Sequence, residues 1–267
     1  MIFTKQLPCS NPGLFSLAAM VICCLLLLPA PVRAEAAARP VVFFDEGHGQ
    51  KFHMQRSGEL DLSGLASVFT QMGSSVRTIN EPLSAQSLFG ADVLILSGPF
   101  SSLSEPEITA VRDFIEKGGS LSVMLHIGAP VLQLLKSLGV DVSKGVINEQ
   151  MGIIGDDPHN FQVSNLKKHP ITRGLKQFSA HGVWAVMNFT GSAKAVALTS
   201  DHAWIDLDGD RKLSAGDAVQ PFGVVVAGEF GTGRFAVFGD DAIFQNKFLT
   251  GDNLDLARNL ADWLAGR

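Results

Sequence analysis

Beyond Cys24 the 267-residue chain has no cysteine, because Cys9, Cys23 and Cys24 are its only three. All three lie in an N-terminal leader. The chain that follows it can form no disulfide, no thiolate metal site and no cysteine nucleophile. A basic run is also missing, and the formal net charge is -5. This argues against nucleic acid as a partner. After the leader there is no internal repeat, linker or low-complexity tract. Stability must come from a packed core, and roughly 230 residues suffice for one large α/β domain.

The leader has Lys5 in a polar stretch, a nearly continuous apolar run over residues 14–30, and then Val32-Arg33-Ala34. Small residues at that spacing predict a secretory signal peptide cut after Ala34. Residues 1–34 are therefore read as the signal and residues 35–267 as a single α/β domain. The alternative is an uncleaved anchor in the inner membrane, since the run is long for a signal and short for a span. A lipoprotein signal fits less well, because Ile22 precedes Cys23. An exported chain without disulfides suits the bacterial periplasm, with no membrane contact after cleavage.

One stretch organises the rest: Val41-Val42-Phe43-Phe44-Asp45-Glu46-Gly47-His48-Gly49-Gln50. Four consecutive apolar residues predict a central strand buried on both faces. The run then changes abruptly to acids, glycines and a histidine. In open α/β sheets, ligands sit beyond the carboxyl ends of the strands. Asp45, Glu46, His48 and Gln50 would stand at that rim, where the glycines let the backbone turn. A polar turn closing a strand is the plainer alternative.

Further elements follow in order. Residues 60–72 have apolar positions at helical spacing, residues 75–79 read as a short strand, and residues 91–97 as another buried strand. Ser104-Glu105-Pro106-Glu107 carries a capping box with proline in the first turn, so a helix begins there. It ends at Gly118-Gly119. Residues 121–125 predict a strand leading to His126, and residues 131–138 a helix. Alternating strands and helices imply parallel strands. From Asp141 to about Asn165 the pattern changes to short segments rich in glycine and polar residues. Residues 178–189 and 194–199 are strand-like. Gly231-Thr232-Gly233 joins residues 222–230 and 234–238 as a hairpin, and residues 253–264 predict a closing helix.

Several of these pieces carry a resemblance. They are Phe44-Asp45-Glu46-Gly47-His48-Gly49-Gln50, the strand at 91–97 with its capped helix ending Lys117-Gly118-Gly119, and His169-Pro170-Ile171-Thr172-Arg173-Gly174-Leu175. The closing set is Gly233-Arg234, Gly239-Asp240, Asn246, Asn253, Asn259 and Trp263-Leu264. Together they resemble the class I glutamine amidotransferase-like superfamily. In particular they are similar to its uncharacterised envelope branch, related to the gliding-motility transporter auxiliary and intraflagellar-transport domains. The His-Pro-Ile-Thr-Arg-Gly segment is also similar to the trehalose-utilisation branch. The resemblance spans nearly all of the chain after the leader. It implies a three-layer flavodoxin-like α/β sheet, mostly parallel, with a C-terminal β-hairpin and a closing helix. One departure matters most. Amidotransferases carry a cysteine nucleophile in an elbow after a central strand, and here that place reads His126-Ile127-Gly128-Ala129. A cysteine–histidine mechanism needs a thiolate beside a base, so glutamine amidotransferase activity is not expected, and a pseudoenzyme is. Relatives in this branch imply a binding or scaffold role, by analogy of fold.

Two constellations could carry chemistry. Asp206, Asp208 and Asp210 occupy the first, third and fifth places of a twelve-residue loop. Lys212 would offer a carbonyl at the seventh, Ser214 stands at the ninth and Asp217 closes the twelfth. Alternating oxygen donors in a loop suit calcium, and the loop resembles those of dockerin and EF-hand modules. Arg211 stands where those loops have glycine, and Asp217 is shorter than their closing glutamate. A solvated acidic turn is the alternative. The second constellation is the rim, where Asp45, Glu46, Gln50, His48, His126, Asp240 and Asp241 could meet and bind a polar ligand. His181 could face the same place, and His169 should begin a turn. Trp184 and Trp204 are read as packing residues. The sequence thus points to an exported, non-catalytic binding or scaffold domain whose partner is a polar small molecule, such as a carbohydrate, or an envelope protein. The alternative is a hydrolase that uses rim carboxylates and histidines, with or without a metal.

Overall fold

The computed structural model describes residue 4, residues 39–127 and residues 129–267. Apart from Thr4, the leader lies outside these residues, and so do its three cysteines and the cleavage site expected at Ala34. No helix among the described residues is long and apolar enough to cross a membrane.

Buried apolar runs build the centre. Strands β1 (Val41–Asp45), β2 (Ser75–Ile79), β3 (Val93–Ser97) and β4 (Ser120–Met124) alternate with helices α1 (Ser63–Gln71) and α2 (Glu105–Glu116). Every residue of β3 and β4 is buried, as a strand covered on both faces requires. Successive side chains of β1 enter opposite cores. Val42 and Phe44 join the core that holds Leu65 and Phe69 of α1, whereas Phe43 joins the one that holds Ile108 and Val111 of α2. Helix α3 (Leu132–Ser137) shares that second core. The last helix, α4 (Gly251–Leu264), shares the first through Leu256 and Leu260.

The middle of the chain adds β5 (Val140–Val146), β6 (Ile153–Ile154), β7 (Asp157–Val163), β8 (Asn165–Leu166), β9 (Phe178–His181), β10 (Trp184–Asn188), β11 (Lys194–Leu198), β12 (Trp204–Ile205) and β13 (Ala218–Val219). Then β14 (Gly223–Phe230) and β15 (Gly233–Phe238) pair as the expected hairpin, closed by Gly231 at φ 61° and Thr232. The main sheet runs β2-β1-β3-β4-β15-β14-β11-β8. Its first five strands are parallel and its last three join antiparallel. It is a mixed α/β architecture around a large, mostly parallel sheet.

The structure refines three expectations. The short segments over residues 141–165 are strands: they supply most of β5 together with β6 and β7, which belong to two small sheets, and they open β8. Residues 178–189 are not one strand, because Gly182 turns the chain at φ 78°. On either side, β9 pairs with β7 and β10 with β5. The helix expected at 131–138 opens with a 3₁₀ turn, Ala129–Val131, and its α-helical part is shorter. Each of these segments is short, and its tertiary partners fix its conformation more than its own periodicity does.

Candidate functional site at the sheet rim

The carboxyl ends of β1, β3, β4 and β15 point to one rim, the place where open α/β sheets bind ligands. Two histidine–carboxylate groups stand there. The first is His48, three residues past Asp45. Its Nδ1 lies 2.8 Å from Asp45 Oδ2 and its Nε2 lies 3.0 Å from Glu107 Oε1. Gln50 Nε2 donates to Asp45, and the His48 N–H donates to Gln50 Oε1 at 2.8 Å. Asp45, His48, Gln50 and Glu107 are all buried. With a carboxylate on each ring nitrogen, both nitrogens are best satisfied as donors, which is the imidazolium form. The hydrogen bond to Asp45 raises the His48 pKa most, burial opposes it, and Glu107 adds to the rise.

Glu107 is the hub of this group, although its place in the sequence marks it only as a helix cap. Its Oε2 accepts the Ser104 N–H at 2.9 Å and the Ser104 Oγ–H at 2.6 Å, completing the capping box of α2. Its Oε1 accepts the Leu83 N–H at 3.1 Å and faces His48. Burial alone would push this carboxyl up, but the bonds from Ser104, Leu83 and His48 outweigh it and hold the pKa at about 2. Nothing in the sequence joins residue 107 to residue 48, so the cap is the only local signal that Glu107 carries.

The second group is His126, two residues beyond β4, with Asp240 and Asp241 beyond the neighbouring β15. His126 Nδ1 lies 3.2 Å from Asp241 Oδ1. The Asp241 side chain is 2% exposed and that of His126 is 40% exposed, so a buried carboxylate holds an accessible ring. Asp241 Oδ2 has no hydrogen-bond partner among the described residues. A side chain at Gly98, just past β3, would meet that oxygen at 2.6 Å. The His126 ring lies between Phe52 and Phe100, with centroids at 5.3 and 5.2 Å. Trp184 Nε1 donates to the His126 carbonyl at 3.0 Å, so it serves the rim and not packing alone. The bond to Asp241 raises the His126 pKa against the effect of burial. Asp240 accepts the His181 N–H at 2.7 Å and the Ala242 N–H at 2.8 Å. Burial first, and the neighbouring Asp241 charge second, push its pKa up to about 8. Burial raises Asp241 as well.

The two groups are linked by backbone: the Phe100 and Ser101 N–H groups both donate to the His48 carbonyl at 2.9 Å. They do not merge. Asp45 and His48 bond each other, His126 bonds Asp241, and Glu46 leaves both groups. Its carboxylate faces His53 Nδ1 at 3.0 Å and accepts the Met54 N–H at 2.9 Å. The expected convergence of Asp45, Glu46, His48 and His126 is thus replaced by three separate hydrogen-bonded groups, since each acid is taken by a partner close to its own strand end. His181 reaches Asp240 through its backbone only, and its ring stacks on Phe248 at 4.0 Å. His169 caps the short turn Pro170–Thr172, as its position before proline implies.

The acidic loop lies apart, between β12 and β13. Ligand atoms of Asp206, Asp208 and Asp210 lie within 4.8 Å of one another. Asp206 accepts the Gly209 and Arg211 N–H groups, and Asp210 accepts the Lys212 N–H at 2.8 Å. Ser214 Oγ donates to Asp208 at 3.2 Å, and Asp217 accepts the Leu207 and Ser214 N–H groups. Arg211 adopts φ 63°, the left-handed bend that glycine would favour. The bond from the Arg211 N–H is the largest cause of a lowered Asp206 pKa. Trp204 is buried, as a packing residue should be.

This α/β architecture is shared with solved structures of low sequence identity. The mmIFT52 N-terminal domain is 16% identical, with 84% of this chain and 97% of that one covered and a TM-score of 0.66. A ThuA-like protein from Bacteroides uniformis is 16% identical over 87% and 94% of the two chains, with a TM-score of 0.51. A protein described as "a putative gmp synthase subunit a protein" from Thermoplasma acidophilum is 14% identical over 86% and 96%, with a TM-score of 0.50. At such identities the likeness is one of fold. The family itself follows from sequence: residues 59–261 match the model described as "Domain of unknown function (DUF4350)", and the chain belongs to that family. No curated protein matches it.

Proposed function

We propose that the chain is a non-catalytic binding or scaffold domain on a class I glutamine amidotransferase-like, flavodoxin-like fold. Its site is the rim around His126, and its partner is a polar ligand, such as a carbohydrate, or an envelope protein. One observation carries this reading: an exposed imidazole between two phenylalanine rings, held by a buried aspartate. Such a ring offers Nε2 for a polar contact and apolar faces on either side. The elbow position of an amidotransferase holds His126 in place of cysteine, and this supports the loss of that chemistry. The likeness to ThuA-like and IFT52 structures agrees with the fold assignment. A signal peptide over residues 1–34 would place the domain in the periplasm.

The test is a thermal-shift panel of neutral and acidic mono- and disaccharides on wild type and His126→Ala. A sugar that raises the wild-type Tm, fails on the variant and is recovered unchanged supports the reading. Turnover of a sugar that stops in His126→Ala would establish the hydrolase instead, with His126 as a base oriented by Asp241.

The acidic loop belongs to the same reading as a weak calcium site. The carboxylates of Asp206, Asp208 and Asp210 would hold the ion with the Lys212 carbonyl, Ser214 and Asp217. The left-handed Arg211 supports it, because the bend that the motif normally gives to glycine is made without one. Affinity should be on the order of 10⁻⁴ to 10⁻³ M. Millimolar calcium should raise Tm by about a few degrees. Magnesium should do much less, and Asp206→Ala with Asp208→Ala should abolish the response. Equal melting of both proteins with and without calcium would leave a solvated acidic turn.

A further inference from the structure

Between Asp157 and Asp201 there is no aspartate or glutamate, although the whole chain carries 26 acids against 21 lysines and arginines. The cations in that stretch are Lys167, Lys168, Arg173, Lys176 and Lys194. The fold brings three of them to the antiparallel end of the main sheet. Lys167 and Lys168 follow the edge strand β8, and Lys194 opens its neighbour β11. Two cavities adjoin there and share Lys167, Lys168 and His169 in their walls. One, of about 530 Å³, is lined by Lys194 together with Ala195, Val196, Ala227 and Trp263. The other, of about 710 Å³, is an open depression lined by the segment from Leu166 to Leu175 and includes Arg173.

These cations are poorly neutralised. Among the described residues, Lys167, Lys168 and Lys194 take no part in the ion pairs that other lysines and arginines form. Lys167 Nζ donates only to the neutral Asn165 Oδ1, at 2.9 Å. Arg173 reaches Asp262 at 3.4 Å, and Glu229 is the one acid in either wall among the described residues. His169 Nδ1 accepts the Ile171 N–H at 3.2 Å, which places the ring proton of the neutral imidazole on Nε2 as a donor. Three exposed point charges and an N–H beside an apolar wall that includes one indole define a ligand with several anionic oxygens and an apolar portion. Lysine suits phosphate in this role, as a compact charge with three rotatable donors. On a net acidic protein, local segregation of positive charge also focuses the field on this end of the sheet.

We propose that these joined cavities are a binding site for a phosphate-bearing ligand, with Lys167, Lys168 and Lys194 on the phosphate oxygens, His169 donating beside them and Trp263 in the wall against the apolar portion. The site is separate from the His126 rim and does not depend on the function assigned there. The phosphate could belong to a free compound or to a phospholipid headgroup, and two measurements on the full chain separate them. Calorimetric titration with pyrophosphate reads the free source. Co-sedimentation with phosphatidylglycerol vesicles, against phosphatidylcholine vesicles, reads the headgroup. The variant is Lys168→Glu with Lys194→Glu, and its Tm is checked against wild type. Lys168→Ala with Lys194→Ala replaces it if the reversal lowers Tm. For a free ligand, the variant should weaken pyrophosphate binding roughly tenfold or more, with no preference between vesicles. For a headgroup, wild type should sediment preferentially with phosphatidylglycerol, and the variant should lose that preference. Wild type and variant behaving alike in both measurements would overturn the site.

Discussion

His48 and His126 stand at the same end of the sheet, each bonded to a buried aspartate from a strand end, yet they are built for different work. His48 is buried and has a carboxylate on both ring nitrogens, one of which also caps α2. His126 has one buried carboxylate, a 40% exposed side chain and a second nitrogen outside that bond. A buried charge that is fully paired resists change, because removing one partner strands the other. An exposed ring held from behind can meet a ligand at little cost to the fold. The contrast separates the residue that holds the rim from the residue that can use it.

The largest effect should come from Glu107→Ala, which strips the cap of α2 and strands His48. We expect a loss of about 3 kcal/mol or more in denaturant unfolding, with Glu107→Gln losing less. A loss as small as that of an ordinary surface substitution would break the comparison at once. Next comes pH. The folded pKa of His48 is raised above 6.5, so its contribution is full below 6.5 and fades as pH rises through the higher folded value. His48→Gln should therefore cost more at pH 6 than at pH 9. Glu107 acts at the acid end, where its contribution is full above 4.5 and is lost as pH falls towards about 2. Equal costs of His48→Gln at both pH values would mean that the ring is not held charged. The smallest effect should be that of His126→Asn, which keeps a donor towards Asp241. It should change stability by less than about 1 kcal/mol, and a larger loss would make the two histidines equivalent.

The sequence makes β1, β3, β4, α2 and the β14–β15 hairpin legible, because long buried runs, a capping box and a glycine turn are local signals. It also places Asp45, His48, His126, Asp240 and Asp241 at the right end of the sheet. Their pairing is not local. His126 and Asp241 are 115 positions apart and meet because β4 and β15 are neighbours in the sheet. His48 meets Glu107 only once α2 has docked. Glu46 misleads for the same reason, since adjacency to Asp45 says nothing about which side of the strand end it serves. Phe52 and Phe100 give no advance sign either, as a lone aromatic in a loop has no periodicity to read.

Four hydrogen bonds converge on Glu107. Helix ends ordinarily fray on their own, at little free-energy cost. Here the first turn of α2 cannot lift without releasing the Leu83 amide and one side of His48 together. Three segments distant in sequence, around residues 48, 83 and 104, are thereby fused into one cooperative opening unit, and a helix terminus that would flicker independently instead shares the exchange lifetime of the rim.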